Sequence, residues 1–72
     1  MPLNWQAVES SWIVAEAYEL ETETIYVRFP DGVEWYYTAC SPDVWKSFTA
    51  QGQSRGKFIH QTLNYKPMGR HQ

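Results

Sequence analysis

Apolar and polar positions alternate over three stretches of the chain and then change period. In 11–18, SWIVAEAY, Ile13, Ala15 and Ala17 fall on one face and Trp12, Val14, Glu16 and Tyr18 on the other, the two-residue repeat of a half-buried strand. The small alanines leave room for something bulky over their face. Residues 19–23 form a polar, acidic turn. In 24–29, TIYVRF, Ile25, Val27 and Phe29 share one face and Thr24, Tyr26 and Arg28 the other. Its β-branched and aromatic residues make this the strongest strand signal in the chain. Pro30-Asp31-Gly32 interrupts it, and Asp-Gly between alternating runs predicts a hairpin, because Gly32 accepts a positive φ cheaply. The return strand is 33–38, VEWYYT, and the register sets Val33, Trp35 and Tyr37 beside Ile25, Val27 and Phe29. Tyr36 then points the other way, with Tyr26 and Arg28.

After residue 40 the spacing becomes helical. Ser41 can cap free N–H groups, Pro42 suits the first helical position and Asp43 suits the dipole there. Val44, Trp45 and Phe48 make one apolar face over about 42–50, and Ala50-Gln51-Gly52 ends it. Ser54 caps a second helix, about 55–64, with Phe58, Ile59, Thr62 and Leu63 as its stripe and Arg55, Lys57, His60 and Gln61 mostly on the exposed side. Pro67 and Gly69 stop it.

The order strand, strand, strand, helix, helix is α+β: a three-stranded antiparallel meander (11–18, 24–29, 33–38) covered by two C-terminal helices. Residues 1–9 read as an arm, since Pro2 and Asn4 oppose regular structure, with Trp5 anchoring it by packing. Residues 10–65 read as the single domain and 66–72 as a flexible tail. At 72 residues the chain holds one domain with a small core. Four Trp, five Tyr and three Phe make that core feasible, at about 150–250 Å² of burial for each ring.

Charge divides along the chain. Residues 1–43 hold all eight acids and one base, Arg28; residues 44–72 hold Lys46, Arg55, Lys57, Lys66 and Arg70 and no acid. Such a split marks an interaction surface, or an acidic sheet drawn to basic helices within one domain. Cys40 is the only cysteine, so no disulfide framework exists, and a lone thiol suits a reducing, cytoplasmic setting. MPLNWQAVESSW has no basic or apolar region of a secretory signal, and no apolar run approaches a membrane span.

Candidate chemistry is sparse. Cys40, His60 and His71 lack metal-site spacing, and the expectation is no metal and no cofactor. Cys40 with His60 can be read as nucleophile and base, or as a small buried Cys and a solvated helix His. Glu16 and Glu34 can be read as a carboxylate pair across strands, or as two solvated acids. Ser54-Arg55-Gly56-Lys57 can be read as a phosphate cradle, or as a helix cap with a glycine for close packing. No catalytic set assembles from these, and the expectation is a chain that is not an enzyme and takes no small-molecule substrate.

The ordered set of residues resembles the KTSC domain, the module named after the C-terminal region of some lysyl-tRNA synthetases. The resemblance runs from about Ser10 to Tyr65. It rests on Ser11, Ile13 and Tyr18, the strand Ile25-Tyr26-Val27-Arg28-Phe29, the Gly32 turn, Trp35-Tyr36-Tyr37, the helix led by Pro42 with Val44-Trp45, then Ser54-x-Gly56 and Phe58. Trp35 stands where the family usually has the first Tyr of a Tyr-x-Tyr motif. Ala39-Cys40-Ser41-Pro42 replaces the usual Val-Pro, which implies a reshaped join. The resemblance implies the fold, and the synthetase link raises RNA binding. In size and acidity the chain is also similar to small phage proteins that bind host machinery, including RNA polymerase.

Two readings follow. The first is a non-catalytic module that binds a protein of the transcription or translation machinery, for example RNA polymerase or a translation component. High aromatic content and the charge split favour it, since Trp, Tyr and Arg dominate interface energies. The second is direct binding of RNA or single-stranded nucleic acid through the basic C-terminal half, against which stands the net charge of −2. Either way the expected contact residues are Arg28, Tyr36, Lys46, Arg55 and Lys57, and no membrane is involved.

Overall fold

The computed structural model describes residues 3–71. Met1, Pro2 and Gln72, parts of the expected arm and tail, lie outside the described residues. The architecture is α+β, with two helices packed on one face of an antiparallel sheet. The sheet has five strands, not the three of the expected meander, in the order β1-β2-β3-β4-β5. These are β1 (Gln6–Ala7), β2 (Ala15–Glu19), β3 (Thr24–Arg28), β4 (Glu34–Tyr37) and β5 (Met68–Arg70). The two additions come from the expected arm and tail. Both are too short and too poor in β-formers to announce themselves; their hydrogen-bonding partners are distant in sequence, Gln6 opposite Glu16 and Gly69 opposite Tyr36.

The β3–β4 hairpin forms as the pattern requires, with Val27 opposite Trp35 and Ile25 opposite Tyr37. Its three-residue loop is closed by Gly32 N–H donating to Phe29 O (2.9 Å) and Phe29 N–H to Val33 O (2.9 Å), with Gly32 at φ +91°. That is a tight turn followed by a left-handed residue, where a side chain would be strained. Asp31 locks it by accepting from Val33 N–H at 3.0 Å.

Strand β2 departs from the expected faces. Glu16 lies opposite Val27 and Tyr18 opposite Ile25, so both point toward the helices, while Ala15 and Ala17 lie opposite Arg28 and Tyr26 on the outer face. Ile13 is nonetheless fully buried in the core. Residues 11–14 are bent rather than extended, and this break in the alternation lets Ile13 reach the core and Ala15 avoid it. The bulky group over the alanines is Trp5: one residue before β1, it falls in line with Ala17 and meets Tyr26 edge-on at 6.4 Å.

Helices α1 (Pro42–Phe48) and α2 (Arg55–Gln61) are shorter than expected, and a 3₁₀ turn, Leu63–Tyr65, completes the second. Ser54 caps α2, accepting from Lys57 N–H at 3.3 Å, whereas Ser41 precedes α1 without a side-chain cap. Between sheet and helices lie Ile13, Ile25, Val27, Tyr37, Cys40, Phe48, Ile59 and Leu63. Trp35 is only half-buried at the edge of this core. In the join before α1, Ala39 sits at φ +56°, and Cys40 N–H donates to Glu23 O at 2.8 Å. A non-glycine residue there is strained, so Ala39→Gly is expected to stabilise the fold by up to about 1 kcal/mol, read as a rise in denaturation midpoint; a fall would show that Ala39 is held by something other than its backbone geometry.

Candidate functional site

The two acids expected as a catalytic or solvated pair lie on opposite faces of the sheet, each held by an arginine. Glu16 is buried on the helix side, where Arg55 Nε and Nη2 donate to its two oxygens at 2.8 and 3.0 Å. The Glu16 carboxylate raises the Arg55 guanidinium above its already high range. That guanidinium also lies 5.5 Å from the Phe48 ring. Arg55 was expected among the contact residues; it is turned inward, because a buried carboxylate on β2 requires a partner from the helix above it.

On the outer face Arg28 Nε donates to Glu34 at 2.7 Å and its guanidinium sits 4.5 Å over Trp5. His71 approaches the other Glu34 oxygen at 3.8 Å and meets Tyr26 edge-on at 4.9 Å. Tyr26 and Tyr36 are neighbours at 6.4 Å. Tyr36 lies across Gly69, where a methyl group would overlap its hydroxyl. Of the expected contacts, Arg28 and Tyr36 therefore share one half-buried surface, on which Arg28 is paired with Glu34.

Cys40 is fully buried, its thiol directed at Tyr37 O and Thr38 O, and Tyr18 donates to its carbonyl at 2.7 Å. His60 is exposed on α2, so Cys40 and His60 do not share a site. Among the described residues no His, Cys, Asp and Glu cluster could hold a metal. Burial pushes the Cys40 thiol and the Tyr37 phenol up, so the fold favours both neutral forms. Their stabilisation is complete below the ordinary ranges of these groups and lost as pH rises beyond them, above about pH 9–10. Melting temperature is expected to fall there, and less steeply in Tyr37→Phe; an unchanged slope would remove Tyr37 from the account. Cys40 is also expected to react with a thiol reagent only on unfolding.

Trp12 forms an exposed aromatic surface beside α2 that is not among the expected contacts. Trp12 is 55% exposed, and its indole lies flat against Gly56, which is buried and where a methyl group would overlap the ring. Glycine serves here for close packing, as one reading of Ser54-Arg55-Gly56-Lys57 had it. Trp12 walls two adjoining concavities. A cleft of about 460 Å³ is lined also by Ser54, Gly56, Lys57, His60 and Gln61. A hollow of about 270 Å³ is lined also by Phe29, Trp35, Tyr37, Ile59 and Met68, with Asn64. Of the expected contacts only Lys57 borders this groove; Lys46 is exposed on α1. An exposed Trp beside serines was visible in the sequence, but its seat on a glycine 44 positions later was not.

No helix of the described residues is long and apolar enough to cross a membrane. No family model matches the chain, and no curated protein matches it. Among solved structures it is similar to the crystal structure of a KTSC domain protein from Yersinia pestis, at 18% identity and a TM-score of 0.84, over 96% of this chain and 97% of that one. The chain therefore has the fold of a KTSC domain protein, as the ordered residues from Ser10 to Tyr65 implied.

Proposed function

We propose that this chain is a KTSC-family, non-catalytic module that binds another protein through the groove around Trp12. The observation that carries the reading is Trp12 itself: a large apolar ring, more than half exposed, held in one position by Gly56 between two concave surfaces. Rigid exposed tryptophans beside pockets are the usual anchors of protein interfaces. The outer sheet face is the weaker candidate, since Arg28 is already paired with Glu34 and Tyr36 is packed beside Tyr26 and across Gly69. The link between the KTSC domain and lysyl-tRNA synthetase makes transcription and translation proteins the first partners to examine in the cytoplasm.

Nucleic acid is the alternative. Pairing of Arg55 with Glu16 takes one base out of the basic C-terminal half, which weakens the electrostatic attraction that dominates such binding. Affinity capture from the native host's lysate, with and without nuclease, tests the choice. Nuclease-resistant capture of a protein, reduced at least about 30-fold in affinity by Trp12→Ala but little by Tyr36→Ala, is expected for a hot-spot residue. Salt-sensitive binding of short single-stranded RNA at about 150 mM salt, removed by Lys46→Glu with Lys57→Glu, would replace this reading with the RNA one.

A further inference from the structure

The groove around Trp12 has two ends of different chemistry. The hollow between sheet and α2 is walled by Trp12, Phe29, Trp35, Ile59 and Met68, with Asn64 as its one amide. The adjoining cleft brings Lys57, His60, Gln61 and Ser54 together around the same Trp12 side chain. No carboxylate lines either part. Glu16, beneath α2, and Glu34, on the outer face of the sheet, are each bound to an arginine. Lys57 is exposed and has no carboxylate partner among the described residues. An apolar pocket and a cleft carrying an uncompensated ammonium therefore share one wall, Trp12.

From this, and resting on the protein-binding reading above, the geometry points to the class of partner: a short acidic segment of another protein. It places a large apolar side chain, Phe, Trp, Leu or Met, in the hollow. An Asp or Glu within about three residues of that anchor sets its carboxylate against Lys57. Extended peptides advance about 3.3 Å per residue, so such a spacing lets one short segment reach both concavities that share Trp12. A single-stranded nucleic acid fits less well. It would meet one ammonium where a phosphate chain needs several cations, and a hollow with a single amide to read base edges. A second copy of this chain is the other occupant to separate, because Leu20 is 64% exposed between Glu19 and Glu21 at the β2–β3 turn.

The test is selection of a displayed random heptapeptide library on the immobilised full chain, with Trp12→Ala used to remove unrelated binders. Enriched peptides are expected to combine one large apolar residue with a nearby acid. The best of them should shift the Trp12 indole N–H and the Gly56 and Lys57 amide signals in a nitrogen–proton spectrum. Lys57→Glu should weaken that peptide at least tenfold and reverse the preference toward a version carrying Lys in place of the acid. This variant sits on the exposed first turn of α2, where an acid is favoured by the helix dipole, so its spectrum elsewhere should be unchanged. Absence of enrichment, enrichment without acidic bias, or shifts confined to Tyr26 and Tyr36 would overturn the proposal. So would displacement of the peptide by oligouridylate at a lower concentration than the peptide itself requires, or self-association abolished by Leu20→Ser. Trp12-dependent capture of a protein without acidic bias among the peptides would leave the binding-module reading in place and remove only this one.

Discussion

Phe48→Ala is expected to remove about 3–5 kcal/mol of stability, enough to leave a domain of this size largely unfolded near 37 °C. Phe48 is fully buried. Its ring lies 6.0 Å from Trp45 and 5.4 Å from Phe58 and supports the Arg55 guanidinium at 5.5 Å. Truncation loses the transfer free energy of the ring and leaves a cavity that two short helices pinned to one sheet cannot close. Val27→Ala should follow, being equally inaccessible but smaller. Trp35→Ala should cost less than Phe48→Ala, although the alternation alone sets Trp35 in the core, because it is only partly buried against that core. Chemical denaturation ranks the three. A loss below about 0.5 kcal/mol at Phe48, or a larger loss at Trp35, would mean that the helices sit elsewhere on the sheet.

Glu16→Ala is expected to cost about 3 kcal/mol, the lower end of what removing one partner of a buried ion pair costs, since the Arg55 side chain keeps 19% of its exposure and the Glu16 side chain 4%. The loss comes from Arg55, which would remain covered and without its two charge-assisted hydrogen bonds. The double variant Glu16→Leu with Arg55→Met should recover to within about 1 kcal/mol of the parent, because apolar groups of similar volume need no such partners. A double-mutant cycle measures the coupling directly. Additive losses would show that the two side chains are solvated independently. The parent pair also has a bearing on binding: with Arg55 committed to Glu16, Lys57 is the charged side chain of α2 left to the groove.

The hairpin at Asp31-Gly32, the inward set Ile25, Val27, Tyr37, the Ser54 cap of α2 and the stripes of the two helices were legible in the sequence, since each depends on neighbours within one turn or one hairpin, whereas the expected Ser41 cap of α1 does not form. Strands β1 and β5 were not. Gln6–Ala7 and Met68–Arg70 are extended because β2 and β4 offer them free edges, a cause that lies outside their own residues. The face of β2 was misread for a related reason. Alternation from Ser11 to Tyr18 implies one unbroken strand, but the bend at residues 11–14 shifts its phase, and only the pairing with β3 fixes which residues point in.

The candidate site shows the same division. Arg28, Tyr36 and Lys57 could be set on faces turned away from the core from spacing alone, and the structure adds what surrounds each, leaving Lys57 exposed but Arg28 and Tyr36 half-buried. Arg55 has the pattern of a surface base and becomes an internal ligand of Glu16, 39 positions away. Trp12 has the pattern of a strand's outer face and becomes the wall of a groove because Gly56 has no side chain to displace it. The fold class, the hairpin and the helices follow from local pattern, because hydrophobic period and turn chemistry act over a few residues. The edge strands, the buried ion pair and the Trp12 groove were decided by the tertiary structure alone, because each is made by groups far apart in the chain whose meeting depends on how the sheet and helices pack.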